Sequence, residues 1–225
     1  MKKQELLKVY QTFWHGFLKL CNSAGAVCKP SDGWTIQLDN AACTHRDLVI
    51  RTLCYFPEWR YKASSNKEKV HIITQSSETY SREDGRMSRS SVQVLYSTLS
   101  GNTAKSLLAL HYDFVLPIQS AHPVFHAQFG TGDFPWSDLE KLGFRATIEP
   151  PPIGTLYSSV RIPTPCMNFG SVLLGLAADH LQPAFFGKVL KLVRGSPLSS
   201  WNAECAALQT SLRDKNYLPS HHWYQ

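Results

Sequence analysis

Between His111 and Gln128 the chain places three histidines and an aspartate within eighteen residues: His111, Asp113, His122 and His126, flanked by apolar runs. Side chains two apart on a strand share a face, so His111 goes with Asp113 and His126 with Gln128. A turn at residues 116–120 would lay these two polar pairs side by side on one sheet face. Such a group admits three chemistries. Imidazole and carboxylate are ordinary metal ligands. The spacing matches no named metal signature, however, and His-Pro-x-x-His lacks the glutamate of the zinc-protease helix. No metal or cofactor is therefore assigned. The second chemistry is general acid–base catalysis, for which histidine is the best-suited side chain near neutral pH and an aspartate can orient it. Two histidines with an arginine such as Arg161 can cleave RNA without a metal. One imidazole takes the 2′-hydroxyl proton, the other protonates the leaving oxygen, and the guanidinium holds the phosphorane charge. The third reading is structural: a histidine–aspartate network that fixes strand register.

The elements that must position these residues follow from periodicity. Residues 4–21 carry Leu6, Leu7, Tyr10, Phe13, Trp14, Phe17, Leu18 and Cys21 at helical spacing, with Lys2, Lys3, Lys8 and Lys19 among the polar positions. This is a core-packing helix with a solvated lysine face, or a basic helix that docks on a partner. Residues 34–38 alternate like a strand. Residues 47–56 are dense in apolar side chains and fit helix or strand, with Pro57 closing them. Residues 70–74 read as a strand. Residues 76–91 are the most hydrophilic stretch and read as a long loop, functional or disordered. Its Arg82, Arg86 and Arg89 recur at spacings of four and three, a pattern that could grip phosphates.

Residues 92–99, 107–115 and 122–129 form the strands of a meander. Ser137 to Glu140 is a capping box opening a short helix, with Gly143 just past its end. Three prolines at 150–152 form a stiff spacer within one domain. Residues 157–162 read as a further strand. Thr164 as N-cap and Pro165 at the first helical position start an apolar helix that runs to about Leu181 and stops before Pro183. A last helix spans 200–213. The architecture expected is α+β: an antiparallel sheet of roughly five strands against three or more helices.

Composition sets wider bounds. The 225 residues, 43% hydrophobic and 18% charged, belong to a globular chain rather than a disordered one. A net charge of +6 suits nucleic acid or an acidic partner protein without establishing either. The six cysteines show no C-x-x-C pair. Nothing reads as a signal peptide, and no apolar run reaches the roughly 18 residues of a membrane helix. A cytoplasmic protein with reduced thiols and no membrane partner is expected; oligomeric state is not legible. The weaker candidates are Asp179-His180, read as a helix-end pair, together with His221-His222 and Cys166. Phosphate loops, nucleophile elbows and kinase signatures are absent from the sequence.

From Leu110 to about Leu181 the chain resembles a bacterial family of unassigned function. That family has an x-Asp-Tyr/Phe strand, a His-Pro-x-x-His segment and an Arg-Ile-Pro turn ahead of an apolar helix. The matching residues here are His111-Tyr112-Asp113-Phe114, His122-Pro123-Val124-Phe125-His126 and Arg161-Ile162-Pro163. The family pattern has an arginine where His111 stands and a histidine or similar donor where Gln128 stands. The resemblance implies a cytoplasmic bacterial protein of the kind coded beside toxin–antitoxin or phage-defence genes, and it implies no reaction. Two functions follow. One is a nucleic-acid-directed protein, an RNA-cleaving toxin, with His111, Asp113, His122, His126 and Arg161 in its site. The other is a non-catalytic accessory subunit that docks through the basic helix or through residues 76–91.

Overall fold

A computed structural model of the protein describes residues 1–23, 33–60, 69–115, 125–129, 136–149, 161–163 and 168–200. The chain is α+β, built on one mostly antiparallel sheet. Helix α1 (Lys3–Ser23) comes first. Strands β1 (Trp34–Leu38), β2 (Asp47–Trp59), β3 (Val70–Ser81), β4 (Met87–Ser100), β5 (Thr103–Val115) and β6 (Phe125–Phe129) follow. Helix α2 (Trp136–Lys141), β7 (Thr147–Glu149) and β8 (Arg161–Pro163) precede three helices, α3 (Phe169–His180), α4 (Pro183–Gly195) and α5 (Pro197–Ser200). The spatial order is β1-β2-β3-β4-β5-β6-β8, and β7 pairs in parallel with the start of β5.

Helix α1 buries Leu6, Tyr10, Phe13, Trp14, Phe17 and Cys21 and leaves Lys8, Thr12, His15 and Lys19 exposed, as its period demands. Together with α3, α4 and α5 it covers the inner sheet face. Leu48, Ile50, Cys54 and Phe56 of β2, Val70 and Ile72 of β3, and Val92, Val94 and Tyr96 of β4 join its core. The alternate residues face outward. Leu53, Tyr55, Ile73, Leu95 and Ala109 make a smaller core with Leu139, Leu142 and Phe144 on and just after α2. Among the described residues this second core lies over only part of the outer face.

One extra residue interrupts the alternation of β5. Tyr96 pairs with Leu108 and Ser97 with Ser106, so Leu107 has no opposite number. It is a β-bulge. Ala104 before it and Ala109 after it both join the outer core, although strict alternation would set them on opposite faces.

Several expectations need correction. Among the described residues the sheet has eight strands rather than roughly five. β6 and β8 fall on the strands expected at 122–129 and 157–162, whereas β7, paired in parallel with β5, has no counterpart in the sequence reading. Residues 76–91 are not a loop but the paired ends of β3 and β4, with a turn from Arg82 to Arg86 between them. Their hydrophilic side chains are strand residues: Ser76, Glu78 and Ser90 are buried. Residues 47–56 resolve as strand. The apolar helix begins at Phe169, its N-cap Asn168 accepting a hydrogen bond from Ser171 N at 2.8 Å, so Thr164 is not its cap. Pro183 ends that helix as expected but also opens α4, which the sequence reading left unassigned. The turn at 116–120, the spacer at 150–152, Cys166, residues 201–213 of the last helix and His221-His222 lie outside the described residues.

Candidate functional site

The antiparallel register brings the sequence-predicted residues together. His111 of β5 stands opposite Gln128 of β6, and Asp113 stands opposite His126. On the far side of β6, Arg161 of β8 pairs with Gln128. Directly opposed positions share a face, so His111, Asp113, His126 and Arg161 occupy neighbouring positions on three adjacent strands. His122 lies outside the described residues. Arg89 is on β4 opposite Val115 and is exposed, two residues from Ser91. Arg82 and Arg86 lie in the β3–β4 turn instead, where Arg86 pairs with Asp84 at 3.7 Å. Arg82 and Arg86 thus flank that turn, and Arg89 lies three residues further along β4.

Pairing extends this group into two rows that cross the sheet. One row runs Gln75, Gln93, His111, Gln128, Arg161; the other runs Arg51, Ser77, Ser91, Asp113, His126. Beyond α2, then, the outer face turns from apolar to polar, rich in amides, hydroxyls and imidazole. Sequence reasoning missed Gln75, Gln93, Arg51, Ser77 and Ser91. Their signal was a period of two at Gln75, Ser77 and Thr79 and at Ser91 and Gln93, which the reading of residues 76–91 as a loop cut short at both ends.

His111 is held by side chains from its own strand and both neighbouring strands. Its Nε2 lies 2.8 Å from Ser91 Oγ and 3.1 Å from Asp113 Oδ1, and Gln128 Nε2 lies 3.4 Å from Nδ1. An amide nitrogen can only donate, so Nδ1 accepts and the ring proton sits on Nε2, shared between carboxylate and hydroxyl. This is not the nucleophile relay of a Ser-His-Asp triad, in which hydroxyl and carboxylate take opposite ring nitrogens. Here Ser91 and Asp113 compete for one nitrogen, so the serine gains no base. The imidazole is positioned, and the side chains of His111 and Asp113 remain 22% and 26% exposed. Next to it, Oε1 of Gln75 and of Gln93 are buried without a hydrogen-bond partner, the kind of unmet acceptor that is rare in folded proteins.

Charge on this face is sparse. Arg51 is held by Asp39 at 2.7 Å while its side chain stays 56% exposed. Among the described residues no group of three metal-ligating side chains forms, and no helix is long and apolar enough to cross a membrane.

A second polar cluster lies in the inner core, and nothing in the sequence announced it. Glu78 is fully buried. Its Oε2 accepts from the hydroxyls of Tyr10 and Tyr80, the latter at 2.9 Å. Its Oε1 accepts from Phe169 N at 2.7 Å, at the first turn of α3. Burial pushes the Glu78 carboxyl above its ordinary range, while the Tyr10, Phe169 and Tyr80 hydrogen bonds pull it back. Burial, with Glu78 beside it, pushes Tyr10 well up. The carboxyl thus ties α1, β3 and α3 together. With Tyr10 stacked on Phe169 it reads as a fastening of the core, closed to solvent. His180 is likewise enclosed: its Nδ1 meets Arg60 O at 2.9 Å and its ring stacks on Tyr96.

Comparison of the chain with protein-family models, with curated proteins and with solved structures finds no match to any of them.

Proposed function

We propose that the polar half of the outer sheet face binds single-stranded nucleic acid, with RNA as its substrate class. The observation that carries this reading is the pair of cross-sheet rows, in which His111, Asp113 and His126 stand among Gln75, Gln93 and Gln128 with arginines at the margins. Unstacked bases are read through hydrogen bonds to their edges, which amides, hydroxyls and imidazole can supply. Arg89 and Arg161 would meet phosphates on either side. A net charge of +6 favours the approach of a polyanion.

Cleavage belongs to the same reading. His111 is occupied on both ring nitrogens and serves to position the strand. The proton transfers fall to His126, diagonal to it, with Arg161 beside the developing phosphorane charge. In the bacterial setting that the sequence resemblance implies, such an activity would act as a toxin or a defence effector.

Fluorescence anisotropy with a labelled single-stranded RNA tests the proposal. The intact protein should bind at low salt, with an affinity that falls steeply as salt rises. Arg89→Ala or Arg161→Ala should each flatten the dependence of log K on log salt by about 1. His126→Ala should remove cleavage and cellular toxicity while leaving binding within a few-fold. No binding of RNA at low salt and no toxicity would sink both halves of the proposal.

A further inference from the structure

On the opposite side of the molecule α1 and α4 pack against each other, and a Cβ added at Gly16 would lie 2.9 Å from Leu192 Cδ1. A groove of about 450 Å³ lies between Lys8, Val9 and Phe13 on α1 and Lys191, Leu192 and Gly195 on α4. That volume is within the range of ligand-binding clefts, about 300–1,000 Å³. Its floor is apolar, and Pro197 of α5 lines it as well. Gly195 is part of the lining, and a Cβ added there would meet nothing within 4 Å.

We infer that this groove is a docking site for an acidic amphipathic helix of a partner protein. The charge pattern selects the occupant. Lys8 and Lys191 stand exposed on opposite walls, and among the described residues no acidic residue lines the groove. Helix α4 carries Lys188, Lys191 and Arg194 with no acidic residue, and α1 carries Lys3, Lys8 and Lys19 against Glu5 alone. An apolar floor between basic walls takes leucine-like anchors at i, i+3 or i+4 and i+7, with carboxylates on the flanks. A second copy of the chain would bring its own lysines and its +6 charge. Residues 201–225 hold Glu204 and Asp214 against Arg213 and Lys215, so they offer no net negative charge.

Two synthetic amphipathic helical peptides with the same leucine stripe, one flanked by glutamates and one by lysines, test the inference by titration against the full chain. The glutamate peptide should bind at least ten-fold more tightly than the lysine peptide. Gly195→Leu, which fills the groove, should weaken it by ten-fold or more. The double variant Lys8→Glu/Lys191→Glu should reverse the preference, and because both lysines are exposed it carries the test alone if Gly195→Leu fails to fold. Equal binding of both peptides, or binding of neither, overturns the inference. So does a chain that sediments as a dimer which Gly195→Leu dissociates, for then a second copy is the occupant. Thermal destabilisation of the free chain by Gly195→Leu, with no peptide binding to the parent, would mean that the chain's own residues fill the groove, and would overturn it equally.

Discussion

Replacing Glu78 by alanine probes how far one buried carboxyl fastens the two ends of the chain to the sheet. The side chain accepts three hydrogen bonds, from Tyr10, Tyr80 and Phe169 N. After truncation the two tyrosine hydroxyls, 2.6 Å apart, can still bond to each other. That leaves one hydroxyl proton and the Phe169 N–H without an acceptor. Each orphaned buried donor costs about 1–3 kcal/mol, and the lost methylene packing adds about 0.8 kcal/mol. Relief of the desolvated carboxyl works the other way. A net loss of about 3–5 kcal/mol follows, a large share of the roughly 5–15 kcal/mol that holds a domain folded. Urea unfolding monitored by tryptophan fluorescence should show the midpoint falling with the slope unchanged. Glu78→Gln keeps one acceptor and the shape, so it should cost far less. Because the folded carboxyl ionises above its unfolded value of 4.5, its protonated form contributes stability fully below pH 4.5. That contribution is lost as pH rises through the folded pKa, so the parent should lose ground against Glu78→Gln as pH climbs from 4 towards 7. A Glu78→Ala cost under about 1 kcal/mol would refute the fastening outright. The RNA binding proposed for the other face should persist in Glu78→Ala at temperatures where it is folded.

Further outcomes follow from the same geometry. Burial lowers the pKa of His71 and of His180 below 6.5. The unfolded chain therefore takes up more protons there, so stability complete above pH 6.5 should be lost as pH falls through the two folded pKa values. Thermal melts from pH 7 to pH 5 should show the decline, and His71→Gln should make it shallower. Gly33→Ala should destabilise by about 1–3 kcal/mol, because its Cβ would lie 2.7 Å from Leu142 Cα and 2.9 Å from Lys141 O, backbone atoms that cannot step aside. Gly16→Ala should be close to neutral: the obstacle is the tip of Leu192, and alanine gains about 1 kcal/mol of helix propensity. Equal costs at the two glycines in a chemical melt would contradict both assignments.

What could be read in advance was what neighbouring residues decide. The helical stripe of α1, the alternation of β1 and the parity of His111 with Asp113 all follow from local period. What escaped depended on partners distant in sequence. Glu78 looks like a loop residue until Tyr10 and Phe169, 68 and 91 positions away, supply its donors. Ser76 and Thr52 hide each other's hydroxyls at 2.8 Å across two strands, so a polar run could be buried strand. Pro183 was read only as a stop, yet a proline at the first turn also starts a helix. The same limit applied to the site. Its β5 and β6 members were legible in one stretch, while Gln75, Gln93 and Ser91 entered only through register.

The bulge at Leu107 is slack in the strand. Leu107 itself is 47% exposed, so its side chain can change without touching the core. A single-codon deletion at 107 would close the bulge, leaving Ser106 and Leu108 as neighbours opposite Ser97 and Tyr96. Ala104, Ser106, Ala109, His111 and Asp113 would then keep their common face by plain alternation. A second residue inserted beside 107 and drawn into the regular ladder would instead turn His111 and Asp113 away from Ala104 and Ser106. A missense scan and a deletion scan should both pass this position, and an insertion scan should not.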